Sequence, residues 1–155
     1  RQLRADQYVA GTVKKDGESF TVEAMMHLVR DPSLAQPLVS ASAAKIGDAA
    51  RAVALEVKAA RAQLEHEQRC VNFAREKKWA EASQAAKDGI AAYPRATIAR
   101  TCLLNVLVEQ SAPEAEQLAM AEEILNLDSR ARRALAIAGD IYRKQGKTDE
   151  MIRAY

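Results

Sequence analysis

Catalysis or metal binding needs nucleophiles, imidazoles, thiols or carboxylates gathered at usable spacing, and this sequence offers few of them. Its two histidines, His27 and His66, fall in different elements. Neither has the set of partners at helical spacing that completes a tetrahedral zinc site. His27 reads as a residue on the less apolar face of a strand and His66 as part of a charged helical segment, ordinary places for both. The six glycines are scattered, so no loop is built to cradle phosphate. Glu65 with Glu67, and Asp149 with Glu150, are neighbouring carboxylates without a nucleophile and read as solvated faces. No catalytic residue, metal site or cofactor is expected, and the chain is read as a non-enzyme. Two thiols, Cys70 and Cys102, remain as distinctive chemistry.

Charge narrows the partners. The 23 basic and 21 acidic residues are well mixed and leave a net charge of +2, whereas phosphate neutralisation usually leaves a visible basic stripe. Nucleic acid is therefore not an expected partner, and Lys14-Lys15 and the group Arg130, Arg132, Arg133 read as solvated surface. No apolar run approaches the roughly 20 residues that span a bilayer. The chain opens on Arg1 and closes on Tyr155 inside an amphipathic pattern, so it reads as a piece of a longer protein.

The elements that position these residues change type along the chain. Tyr8 to Val13 is a β-branched run, Asp16-Gly17 a turn pair, and Phe20, Val22, Ala24, Met26 and Leu28 share one face by period-two alternation. A β-hairpin with one buried face follows. Asp31-Pro32-Ser33 reads as a break, and 38–44 as a third strand. After Gly47 the period lengthens: Ile46, Ala50, Val53, Val57, Ala60 and Leu64 line one side of a long helix that covers the sheet and runs into the next domain. The boundary falls between about Arg61 and Glu67, where charge density rises without Pro or Gly, so a stiff junction is expected. Beyond it the chain should be helical throughout, and paired alanines such as Ala85-Ala86 and Ala91-Ala92 favour close helix approach.

A repeat is visible there. Cys70, Phe73, Trp79, Ala82 and Ala86 superimpose in order on Gly139, Tyr142, Thr148, Met151 and Tyr155 with one constant offset of 69 residues, two periods of 34 plus one inserted residue. The stretch Gly139 to Thr148, with Gly146 at the turn, resembles the end of the first helix of a tetratricopeptide repeat. Trp79, Ala82, Ala86 and Tyr93-Pro94 resemble the following turn, second helix and closing proline. A middle copy, ending at Ile124 to Asp128, is degenerate, and its register begins at Thr97 or at Ile98. The resemblance covers about Gln63 to Tyr155, with the last repeat cut short. The first third, from Ala5 to Val13 through Asp16-Gly17 to a helix over 48–64, resembles the last half of the TolB amino-terminal domain of the bacterial envelope. The expected fold is thus α+β: residues 1–62 form a partial TolB-like domain, a small antiparallel sheet with a covering helix, and 63–155 an α-helical hairpin array.

The tetratricopeptide resemblance implies a concave groove that binds proteins or peptides, lined by the second, fifth, ninth, twelfth and thirteenth places of each first helix. In the first copy these are Leu64, Glu67, Val71, Ala74 and Arg75; in the third, Arg133, Ala136, Asp140, Arg143 and Lys144. Asn105 joins them if the middle register begins at Thr97. Such a groove has a surplus of positive charge at its C-terminal end, suited to an acidic peptide. Phe73, Ala82, Gly139 and Tyr142 should be buried at the hairpin crossings. Cys70 and Cys102 fall in the first helices of neighbouring hairpins and stand either as a disulfide, which suits an oxidising envelope compartment, or as buried free thiols at a helix crossing. The implied role is a scaffold or adaptor in the bacterial periplasm or envelope, with the cytoplasm as the alternative location. Two rival roles are a subunit packed permanently in a larger assembly and a regulatory region of a longer enzyme.

Overall fold

The computed structural model describes residues 5–147 and 149–150. The class is α+β: strands come first, and from Ile46 onward the described elements are helices. The chain divides between Ala62 and Gln63 into two compact units.

In the first unit Gln7–Asp16 (β1) and Ser19–Leu28 (β2) form a hairpin whose register runs from Asp16 opposite Ser19 to Gln7 opposite Leu28. Its two loop residues are Gly17 and Glu18, and Gly17 carries φ +57°, the backbone that a type II′ turn demands at its first central position. Strand β2 is the centre of the sheet. Asp31–Pro37 (β3) and Ala41–Ala43 (β4) both pair with it, along the edge that β1 leaves free. The alternation along β2 ends with Met26 at 0% and Leu28 at 4% exposure.

The strand expected over 38–44 forms only as the short β4, Ala41–Ala43, and an unexpected strand, β3, precedes it. Asp31-Pro32-Ser33 does not end the sheet but opens β3, with an irregularity in the pairing between His27 and Leu28. The Asp31 Oδ1 accepts from the Ser33 amide at 3.0 Å and from its hydroxyl at 2.6 Å, holding the bend inside the strand. Proline is tolerated because β3 pairs on one side, where a missing N–H near the strand start breaks no ladder. The covering helix Ile46–Ala60 (α1) packs on β2 and β4. It buries Ala49 and Val53, while Ile46 stays 48% exposed. Its apolar stripe therefore starts at Ala49 rather than at Ile46 and Ala50. The expected uninterrupted helix over 48–64 is also corrected: α1 ends at Ala60, and Arg61 is a turn residue.

The second unit is built from Ala62–Arg75 (α2), Trp79–Ala92 (α3), Thr97–Glu109 (α4), Glu114–Leu127 (α5) and Arg132–Lys144 (α6). Small residues set the spacing. One cluster joins Cys70, Ala82, Ala85, Ala86, Cys102 and Val106. The next joins Leu104, Ala121, Ile124, Ala134, Ala138 and Ile141. Gly89 lies where three helices meet, and a Cβ there would come within 3.0 Å of the Ala99 Cβ and 3.1 Å of the His66 Cβ. Ala82 and Gly139 are buried, and Phe73 and Tyr142 half-buried. Thr148, Met151 and Tyr155 lie outside the described residues. Helix α4 contributes to both clusters and is buried on most sides, which explains its lack of a clear polar face.

Helices α2, α4 and α6 all end in the same way. A residue in the left-handed region follows each: Lys77 at φ 57°, Ser111 at φ 54° and Gly146 at φ 69°. The next amide then reaches back to close a wide turn, from Lys78 to Phe73 O at 2.9 Å, from Ala112 to Leu107 O at 2.9 Å and from Lys147 to Tyr142 O at 3.0 Å. This is the paired-bond helix stop that satisfies the last carbonyls. The three turns recur at 34 and then 35 residues, 77 to 111 to 146. The ends of α3 and α5 also correspond, Tyr93 donating to Gly89 O and Asp128 to Ile124 O, 35 apart. The inserted residue therefore falls at the α4–α5 turn, beside Pro113. The turn that ends α4 thus keeps a 34-residue spacing to the one that ends α2.

Candidate partner-binding face

At the same spacings of 34 and 35 residues, Val71, Asn105 and Asp140 stand at corresponding positions, one on each of α2, α4 and α6. Two concavities open beside them. The first, of about 340 Å³, lies between α2 and α4 and is lined by Val71, Ala74, Arg75, Trp79, Asn105 and Val106, among others. The second, of about 520 Å³, lies against α6, and its lining includes Arg133, Ala136, Asp140, Lys144, Glu114 and Gln117. Arg133 Nε donates to Asn105 Oδ1 at 2.8 Å and so bridges the helices that bound the two.

Most of the residues carried over from the repeat pattern gather here, with three corrections. Glu67 is only 2% exposed and lines neither concavity. It belongs to a stripe with Gln63 and Cys70, spaced four and three apart, which is the buried face of α2. Leu64 is half-buried and absent from both linings, and Arg143 is exposed beside the second without lining it. The third correction concerns charge. Arg143 donates to Asp140 Oδ1, and Lys144 donates to Glu114 Oε1 at 3.0 Å and sits 3.2 Å from Asp140 Oδ2. The expected positive surplus at the C-terminal end is thus largely neutralised from within. Hydrogen bonds from Arg143 and then Lys144 hold the Asp140 carboxyl below its usual range. The hydrogen bonds that Lys144 donates to Glu114 and then to Asp140 raise its ammonium above the usual lysine value. All are solvent-exposed pairs that add little to stability.

Other residues of this unit act through the backbone, and the sequence reading passed over them. Gln63, fully buried, accepts the Ala99 amide at 3.1 Å. Helix α4 has Ala96 at its N-cap, which offers no side-chain acceptor, so a neighbouring helix supplies one. Arg100 donates to Pro94 O and Ala96 O, each at 2.9 Å, and to Glu123 Oε2 at 3.1 Å, tying the α3–α4 loop to α5. Tyr142 donates to Glu122 Oε1 at 2.6 Å. That bond, then burial, then the carboxylate charge push its phenol up to about 12.

The thiols are joined. Cys70 and Cys102 form a disulfide with their Cα atoms 6.5 Å apart, linking α2 to α4. His27 Nδ1 lies 3.1 Å from Pro32 O, and since a carbonyl only accepts, that nitrogen carries the proton; its ring stacks on Tyr8 at 5.0 Å. Among the described residues no three of His, Cys, Asp and Glu converge in a way that holds a metal ion, and no helix is long and apolar enough to cross a membrane. No protein-family model matches the chain, and no curated protein matches its sequence.

Proposed function

We propose that this chain is a non-catalytic scaffold or adaptor that holds a segment of a partner protein against the face formed by α2, α4 and α6, as a tetratricopeptide array does. The observation that carries this reading is the recurrence of one left-handed turn after each of these helices at spacings of 34 and 35, because it puts Val71, Asn105 and Asp140 in equivalent places beside two concavities. A helical repeat of this kind exposes a continuous surface rather than an enclosed reaction site. The disulfide supports an oxidising compartment, and together with the TolB-like features of the first unit it favours the bacterial envelope. A photo-reactive residue at Asn105 should crosslink a partner in a native extract, whereas one at Gln84, on the exposed side of α3 outside both linings, should not. Equal crosslinking from the two positions would overturn the reading.

A second reading, a subunit packed permanently in an assembly, rests on a separate observation. Edge strand β1 leaves Tyr8, Val9 and Val13 exposed by 44%, 46% and 52%, the apolar exposure that an assembly covers. Light scattering on the isolated chain separates the two, since a stable monomer at high concentration removes the second.

A further inference from the structure

Resting on the groove reading, we infer that the α2–α4 concavity is an anchor subsite for a bulky apolar side chain whose peptide carries a carboxylate within one or two residues. The inside is apolar. Val71 and Ala74 on α2, Val106 on α4 and the Trp79 ring at the start of α3 line a volume of about 340 Å³, small for a drug-sized ligand and sized for one or two side chains. Cys102 also lines it, and its bond to Cys70 ties the two helices that form the walls. The cavity therefore exists before a ligand arrives, which lowers the ordering cost of binding.

The rim is charged, and unlike the α6 concavity its charges are uncommitted. Among the described residues neither the Arg75 nor the Lys77 side chain has a hydrogen-bond or ion-pair partner, and Glu109 stands across from them on α4 in the same condition. The rim is thus net positive by one charge. Arg75 presents a planar fork that matches a carboxylate, and Lys77 a mobile point charge beside it. Asn105 completes the recognition set. Its amide oxygen is engaged by Arg133, leaving Nδ2 to donate to a peptide carbonyl, while Glu109 accepts a peptide N–H. An apolar side chain in the cavity with an acidic neighbour at Arg75 and Lys77 uses all of these groups.

Selection on the oxidised chain from a display library of random twelve-residue peptides, followed by anisotropy titration of the enriched sequences, tests this. Enriched peptides should share a bulky apolar residue with Asp or Glu within two positions. Arg75→Glu should weaken them by roughly tenfold or more, Ala74→Trp should do the same by filling the cavity, and Arg143→Glu should leave them within about twofold. Arg75 is exposed, so Arg75→Glu should melt at the parental temperature, which a thermal denaturation curve checks alongside the binding. If the enriched peptides lack acidic residues, or if Arg143→Glu weakens them as much as Arg75→Glu, the inference is overturned. If Arg133→Glu abolishes binding that Arg75→Glu and Ala74→Trp spare, the inference falls and the groove reading stands. No enrichment at all removes both.

Discussion

Gln63 shows how one residue can decide whether a helix starts. The Ala99 amide belongs to the first turn of α4, where backbone donors have no partner within the helix, and Gln63 Oε1 meets it from α2. Gln63→Leu keeps the side-chain bulk and removes that acceptor, so it should cost about 1–3 kcal/mol in a urea unfolding series. A variant with the parental midpoint would show that the bond contributes nothing. Tyr142 gives a second residue-scale expectation, this time in pH. Its folded value of about 12 exceeds the ordinary value of 10.0, so the folded state holds the phenolic proton after the unfolded chain has lost it. That stabilisation is complete below pH 10 and disappears as pH rises from about 10 to 12. In an alkaline titration followed by phenolate absorbance, the transition lost in a Tyr142→Phe variant should lie at about 12. Glu122→Gln, which removes the opposing negative charge, should bring its transition down toward 10.

The repeated turn is the informative feature among the elements. Only the third copy places glycine at the left-handed residue; the first two place Lys77 and Ser111 there, and a Cβ in that conformation costs roughly 1 kcal/mol. Ser111→Gly should therefore raise stability by about 0.5–1 kcal/mol, the gain being trimmed by the freer unfolded chain. A lower thermal midpoint for this variant would contradict the geometry of the α4 turn. Strand β3 carries the complementary lesson. Asp31, Pro32 and Ser33 are breakers by local chemistry, yet pairing with β2 overrides them, because an edge strand asks for hydrogen bonds along one side only.

For the molecule as a whole, the Cys70–Cys102 bond is the covalent tie between the hairpins. It closes a loop with a sequence separation of 32, and a loop of that length restricts the unfolded chain by about 3–4 kcal/mol. Replacing both cysteines by alanine should destabilise the protein by about that much, measured by chemical unfolding against the oxidised parent. Thiol titration of the unreduced, unfolded protein should find no reactive groups. Two thiols per chain would instead mean that the helices meet at a crossing of free cysteines.

Local pattern was enough for what repeats or alternates. The α+β class, the hairpin about Gly17 and the helical run after Ile46 were legible because each depends on the period of apolar residues or on a turn pair containing glycine, and the turn at Gly146 was legible from the resemblance to a tetratricopeptide repeat. The tetratricopeptide resemblance places Val71, Ala74 and Arg75 together, with Asn105 joining them only if the middle register begins at Thr97, and all four line one concavity. Partners distant in the chain were another matter. That Glu67 is interior follows from α2 turning its stripe of Gln63, Glu67 and Cys70 inward. That Arg143 and Lys144 are neutralised follows from Asp140 and from Glu114, thirty residues away. Whether two cysteines bond depends on the direction and separation of two helices, a quantity no local spacing encodes. The tertiary structure decided which charges are spent within the fold and which, at Arg75 and Lys77, stand without an ion-pair partner among the described residues, because side-chain pairing is settled by distances across helices and not along them.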